Sequence, residues 1–193
     1  MSALILIVLA GFCMVCGCSG DSAPEATPTP AATQTSAPTA TSAPAAVGKA
    51  VHYTELYRFF PTPTSNWVSE DPAGMSMSSA DGEWSFAQRI YTQKTNEDIV
   101  VDIVIQDTAG LDVGYLQAWE SYVEVDTPEV SWKSTTVQGY PAWEFHDKME
   151  NVYTQTIAVK DRFIVWINLE NGQQSYLTVF NTGIDLDGLA ALA

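Results

Sequence analysis

Cysteine ends at residue 18. The three in the chain, Cys13, Cys16 and Cys18, crowd into an apolar leader, and none follows. Everything downstream is therefore without disulfides or thiolate metal sites. Cations are almost as scarce, with eight Lys and Arg against 23 Asp and Glu and a net charge of −15. A nucleic-acid binder needs clustered Lys and Arg to displace phosphate counterions, and docking on anionic lipid needs a basic face; neither is available. There are only two histidines, His52 and His146, in no HxH or HExxH spacing. No metal site and no cofactor are expected from them. The nucleophile elbow GxSxG and the phosphate cradles GxxxxGK[ST] and GxGxxG are absent, as is any N-x-[ST] sequon.

What is present divides by composition into three pieces. Ala3 to Cys16 is apolar or small throughout, fourteen residues, and too short to span a membrane. Its length suits the apolar stretch of a signal peptide. Ser19 to Gly48 holds nine Ala, six Thr, five Pro and four Ser. Such a stretch has too little apolar area to repay backbone ordering, and reads as a semi-extended, stalk-like tether. From Lys49 onward come all six Trp, all eight Tyr and 21 of the 23 acids. The expected organisation is a leader over residues 1–17, a disordered tether over 18–48 and one globular domain over 49–193.

The run Val15-Cys16-Gly17-Cys18-Ser19-Gly20 resembles a lipobox, the cleavage and lipidation signal of prokaryotic lipoproteins. Val15 and Gly17 match its aliphatic and small positions, whereas Cys16 between them is unusual. Met1-Ser2 also lacks the basic residues of such leaders. The resemblance implies lipid on Cys18 and a domain held at the extracytoplasmic face of the cell membrane. An ordinary secretory signal and an uncleaved N-terminal anchor are the alternatives.

Periodicity sketches the domain. Val51 to Phe60 reads as a short amphipathic helix stopped by Pro61 and Pro63. Trp67 to Glu70 and Gly74 to Ser79 read as weak strands, and Asp81-Gly82 as a turn into Glu83 to Gln93. Ile99 to Asp107 is the clearest strand, with Ile99, Val101, Ile103 and Ile105 in one row. Val113 to Val123 has helical spacing, with Asp112 as cap. Two hairpins follow: Trp132 to Val137 with Tyr140 to Asp147, and Val152 to Val159 with Arg162 to Leu169. Helical turns close the chain over Gln174 to Phe180 and Leu186 to Leu192. The fold class expected is α+β: an antiparallel sheet of about six to seven strands built from hairpins, with two to three helices packed on it.

This order loosely resembles PsbP-like domains, which implies an antiparallel sheet between helices. The phrases Phe60-Pro61-Thr62-Pro63, Asn66-Trp67, Gly139-Tyr140-Pro141-Ala142-Trp143-Glu144 and Asp161-Arg162-Phe163-Ile164-Val165 are similar to those of surface lipoproteins of methanogenic archaea. Neither resemblance brings a motif of known chemistry; each implies location and fold.

No catalytic constellation emerges. His146 has Asp147 beside it, but adjacent strand residues point to opposite faces. Asp185-Leu186-Asp187-Gly188 begins like a calcium loop yet lacks its later ligands, so Asp185 and Asp187 read as helix caps. Aromatic abundance is the remaining feature. Trp67, Tyr115, Tyr140 and Trp143 are the candidates for a surface that binds an envelope protein or glycan. The expected function is a lipid-anchored, non-enzymatic domain that binds or helps assemble a partner at the cell envelope. A hydrolase of envelope carbohydrate or peptide and a passive coat component are the alternatives.

Overall fold

The structure is a computed structural model that describes residues 48–79, 82–109 and 124–193. Among these residues nine strands form one antiparallel sheet: β1 (Trp67–Ser69), β2 (Ala73–Ser79), β3 (Gly82–Gln93), β4 (Asn96–Asp107), β5 (Glu124–Asp126), β6 (Val130–Val137), β7 (Tyr140–Asp147), β8 (Val152–Val159) and β9 (Phe163–Glu170). Across the sheet the order is β1-β3-β4-β9-β8-β7-β6-β5, and β2 also pairs with β3. The helices are α1 (Tyr53–Leu56), continued by a 3₁₀ turn (Tyr57–Phe59), then α2 (Ser175–Gly183) and α3 (Leu186–Ala190).

The α+β class is as expected, but nine strands exceed the expected six to seven. Two physical reasons account for the excess. β3 is twelve residues long, so β1 pairs with its Tyr91–Gln93 end and β2 with its Gly82–Gln88 end. β5 is only three residues, too short for any period to show. The first helix is also shorter than expected, because Val51 is held in the fold by hydrogen bonds before α1 begins. The helix expected over Val113 to Val123 lies outside the described residues.

Alternation along the central strands puts the core on one face. Val101, Ile103 and Ile105 of β4 lie opposite Leu169, Ile167 and Val165 of β9, all fully buried. Ile157 and Val159 of β8 extend the layer, and Leu56, Phe59, Leu177, Phe180, Ile184, Leu186 and Leu189 cover it from the helices. Trp67 is buried among them, edge-on to Tyr176 and Phe180 at 5.5 and 4.9 Å. Tyr91 donates its hydroxyl to the Pro61 carbonyl at 2.8 Å, and burial pushes that phenol up to about 12.

A buried ion pair clasps one end of the sheet. The Asp107 carboxylate, with no exposure, takes two bonds of 2.9 Å from the Arg162 guanidinium, a bidentate pairing. Asp107 also accepts the backbone N–H groups of Val51 and Ala109, each at 2.8 Å. Arg162 in turn donates to the carbonyls of Leu192 and Lys49, at 2.8 and 3.2 Å. Ser85 donates to the Val51 carbonyl at 2.7 Å. Arg162 reaches this place from the β8–β9 turn, where Lys160 and Asp161 both take the left-handed conformation, with φ of 55° and 53°. The β6–β7 turn uses the same conformation more comfortably, with Gly139 at φ 85° after Gln138 at 50°.

Candidate functional site

On the helix-covered face the chemistry changes between β8 and β6. Cross-strand register sets three rows there. Gln155 stands between Ile167 and Glu144, and Glu144 between Gln155 and Lys133. On one side of that row lie Ile157, Ala142 and Thr135; on the other lie Tyr153, His146 and Ser131. A period of two that is apolar on β4 and β9 thus becomes polar without leaving the face.

α2 closes the region into an open cleft of about 590 Å³, lined by Thr135, Glu144, Gln155, Asn181 and Thr182 with the β6–β7 turn. Its two ends are fixed by side-chain amides. Gln174, just before α2, donates to Glu144 Oε1. Gln138 in the β6–β7 turn donates to the carbonyl of Asn181 and, at 2.9 Å, to that of Ile184. Those carbonyls belong to the end of α2, where helical partners run out.

Glu144 is the one carboxylate in the lining, and it is fully engaged. Its side chain is 12% exposed; Oε1 takes Lys133 Nζ at 2.9 Å, and Oε2 takes Gln155 Nε2 at 3.4 Å. The amide oxygens beside it are not engaged. Gln155 is 3% exposed, yet its Oε1 has no hydrogen-bond partner, and neither has Asn181 Oδ1. An unmet buried acceptor costs about 1–3 kcal/mol, so two lining one cleft need an explanation.

His146 ends the polar region. Its ring stacks on Tyr153 at 3.8 Å and 7°, and its Nε2 is also without a partner. Burial lowers its pKa and Lys148 lowers it further, against the pull of Asp147 and Glu144. The imidazole is therefore neutral at pH 7. Ser131 faces His146 across the strands, but no hydrogen bond joins them to make an activated nucleophile. With Glu144 paired to Lys133, no second carboxylate faces it in the lining. The arrangement can accept hydrogen bonds.

The four aromatic candidates are not brought together. Trp67 is a core residue under α2, 4% exposed, and borders a separate pocket with Pro61, Pro63, Val179 and Phe180. Its indole belongs there because β1 is an edge strand whose inward side needs a large cover. Tyr140 is half-buried on the core face and donates to Asp187 Oδ1 at 2.9 Å, tying β7 to α3. Trp143 lies on the opposite face of the sheet, edge-on to Trp132 at 5.6 Å. Tyr115 lies outside the described residues. Asp185 caps α3 by accepting Gly188 N–H at 2.8 Å, and among the described residues no three metal-ligating side chains gather.

Sequence reasoning missed Gln155, Asn181 and Thr135. A signal existed for the first: Gln155 interrupts the inward row Tyr153, Ile157, Val159. Nothing local marked Asn181, which reaches the cleft only through the docking of α2.

No protein-family model matches this chain, and no curated protein or solved structure is significantly similar to it.

Proposed function

We propose that this chain is a lipid-anchored extracytoplasmic binding module that holds a partner or ligand of the cell envelope in the cleft beside α2, without catalysis. The lipobox-like run around Cys18 and the Pro-spaced tether support the location. Among the described residues no helix is long and apolar enough to cross a membrane. One observation carries the binding reading: Gln155, a buried amide in an otherwise apolar row of β8, lines an open cleft beside α2. Folding alone would not favour such a group, because a methylene chain there would be cheaper to bury. The engaged Glu144 and the unbonded Ser131 and His146 speak for binding over hydrolysis.

Two measurements test this. In cells labelled with a lipid precursor, Cys18→Ala should lose both the label and membrane fractionation. The Cys18→Ala chain, now free, should cosediment with isolated envelopes of the producing cells. A Gln155→Met, Asn181→Ala double variant that still folds should not. Equal sedimentation of the two chains sinks the cleft as the binding site.

A further inference from the structure

The sheet face turned away from the cleft has its own chemistry. Val125 of β5, Trp132 of β6 and Phe145 of β7 stand directly opposite one another in register, so their side chains form one row. All three are exposed, at 42%, 37% and 36%. Trp143, two positions from Phe145 on the same face, meets Trp132 edge-on at 5.6 Å. Threonine would serve the pairing of such exposed strand positions as well as these large apolar side chains do. A contiguous apolar row with an exposed indole at its centre is the usual composition of an interaction surface.

We infer that this row docks a basic, arginine-bearing polypeptide segment, on a surface separate from the cleft. Charge selects the occupant. The described strands contain one Arg and one Lys, Arg89 and Lys133. Both alternate in phase with the helix-covered side: Arg89 is two positions from buried Tyr91, and Lys133 is paired to Glu144. The aromatic face therefore takes no cation from the described strands, whereas Asp102, Asp147 and Glu170 all stand on it. Asp147 follows Phe145 by two positions, about 7 Å along the strand. Its Oδ1 accepts the N–H groups of Met149 and Glu150, and Glu170 accepts the Asn168 amide at 3.3 Å. These donors are neutral, so both negative charges persist. An anionic partner is repelled, and a second copy would bring the same acids against one another.

Shape favours arginine among cations. Trp132 and Trp143 are perpendicular, at 90°, and form a notch with one ring face and one ring edge. A sugar ring stacks on a flat platform. A guanidinium is itself planar, lies on one ring face, and keeps its edge N–H groups for a neighbouring carboxylate.

The test is calorimetry on the Cys18→Ala chain at about 0.15 M salt, where long-range attraction is screened. The probes are hexa-arginine amide, hexa-lysine amide, maltotriose and phosphatidylcholine vesicles. Hexa-arginine should bind more tightly than hexa-lysine, and Trp132→Thr, which leaves the charge unchanged, should weaken it about fivefold. Asp147→Asn keeps the acceptor of the turn and removes its charge. It should weaken binding about threefold, and it reports on the surface even where Trp132→Thr fails to fold. Hexa-arginine binding indifferent to the folded variants overturns the inference, because diffuse charge would then be the cause. Equal binding of the two cationic peptides overturns the choice of arginine. Trp132-dependent binding of maltotriose or vesicles with hexa-arginine silent overturns the basic partner, as does a dimer in sedimentation velocity that Trp132→Thr dissociates. Silence of every probe overturns it also. None of these results bears on the cleft, which lies on the other face of the sheet.

Discussion

Replacing Gln155 by methionine should make the protein more stable. Methionine follows nearly the same path through the core and removes both polar ends of the amide. Three effects enter. The unmet Oε1, in a residue 3% exposed, stops contributing a desolvation penalty of about 1–3 kcal/mol. The bond from Nε2 to Glu144 is lost, but at 3.4 Å it lies at the weak end, about 0.5 kcal/mol. Glu144 keeps Lys133 at 2.9 Å and Gln174, so no charge is left unpaired. The thioether gains apolar contact beside Ile157, Tyr153 and Ile167. The net is about 1 kcal/mol in favour of the variant. In a domain of this size that raises Tm by about 2–4 °C. Calorimetric melting of the two chains side by side measures it. A fall in Tm of two degrees or more would refute the reasoning, because the amide oxygen would then be contributing to the fold itself. A gain in stability joined to a loss of envelope binding is the signature of a group retained for function.

Three further outcomes follow from the fold. Arg162→Met leaves Asp107 charged and buried without its partner, and urea unfolding should show a loss of about 3–5 kcal/mol. Asp161→Gly relieves a left-handed aspartate in the β8–β9 turn and should stabilise by about 1 kcal/mol by the same measurement; a loss would mean that the side chain holds the turn. Asp102, on the face opposite the cleft, has a pKa raised by burial, against the hydrogen bond from Gln88 and with smaller upward pushes from Glu170 and Glu70. The folded state then binds this proton more tightly than the unfolded state does. Its contribution is full below the ordinary value of 3.8 and is lost as pH rises through the higher folded-state value. Wild type minus Asp102→Asn stability, measured from pH 3.5 to 7, should therefore fall with pH; a flat or rising difference contradicts the shift.

How much of this was legible in the sequence depends on where each element draws its stability. β4 and β9 declare themselves, because Val101, Ile103 and Ile105 and their partners Leu169, Ile167 and Val165 keep a strict period of two. The hairpin at Gln138-Gly139 is marked by the one residue that takes positive φ without strain. β5 has no such mark, since Glu124–Asp126 is exposed throughout and owes its place to pairing with β6. The burial of Trp67 was hidden for a related reason. Its neighbours Asn66, Val68 and Glu70 are polar or exposed, and only the packing of α2 onto β1 turns its side chain inward. The cleft was the least legible part. It is assembled from β6, β7, β8, one turn and α2, and no stretch of ten residues contains it. Gln155 alone offered a clue, as a break in an apolar row.

The Asp107–Arg162 clasp has a mechanical consequence. Tension on the chain ahead of Gly48 passes first into Gly48 N–H on the Ala109 carbonyl, then into Lys49 and Val51 on Arg162, Asp107 and Ser85. The load thus meets several short bonds around one half-buried guanidinium and enters the sheet through β3 and β4 before it reaches α1. The same guanidinium holds Leu192, so a single side chain latches both ends of the domain. Under a steady pull these bonds share the force, with the Gly48–Ala109 bond the first to carry it and Arg162 behind it.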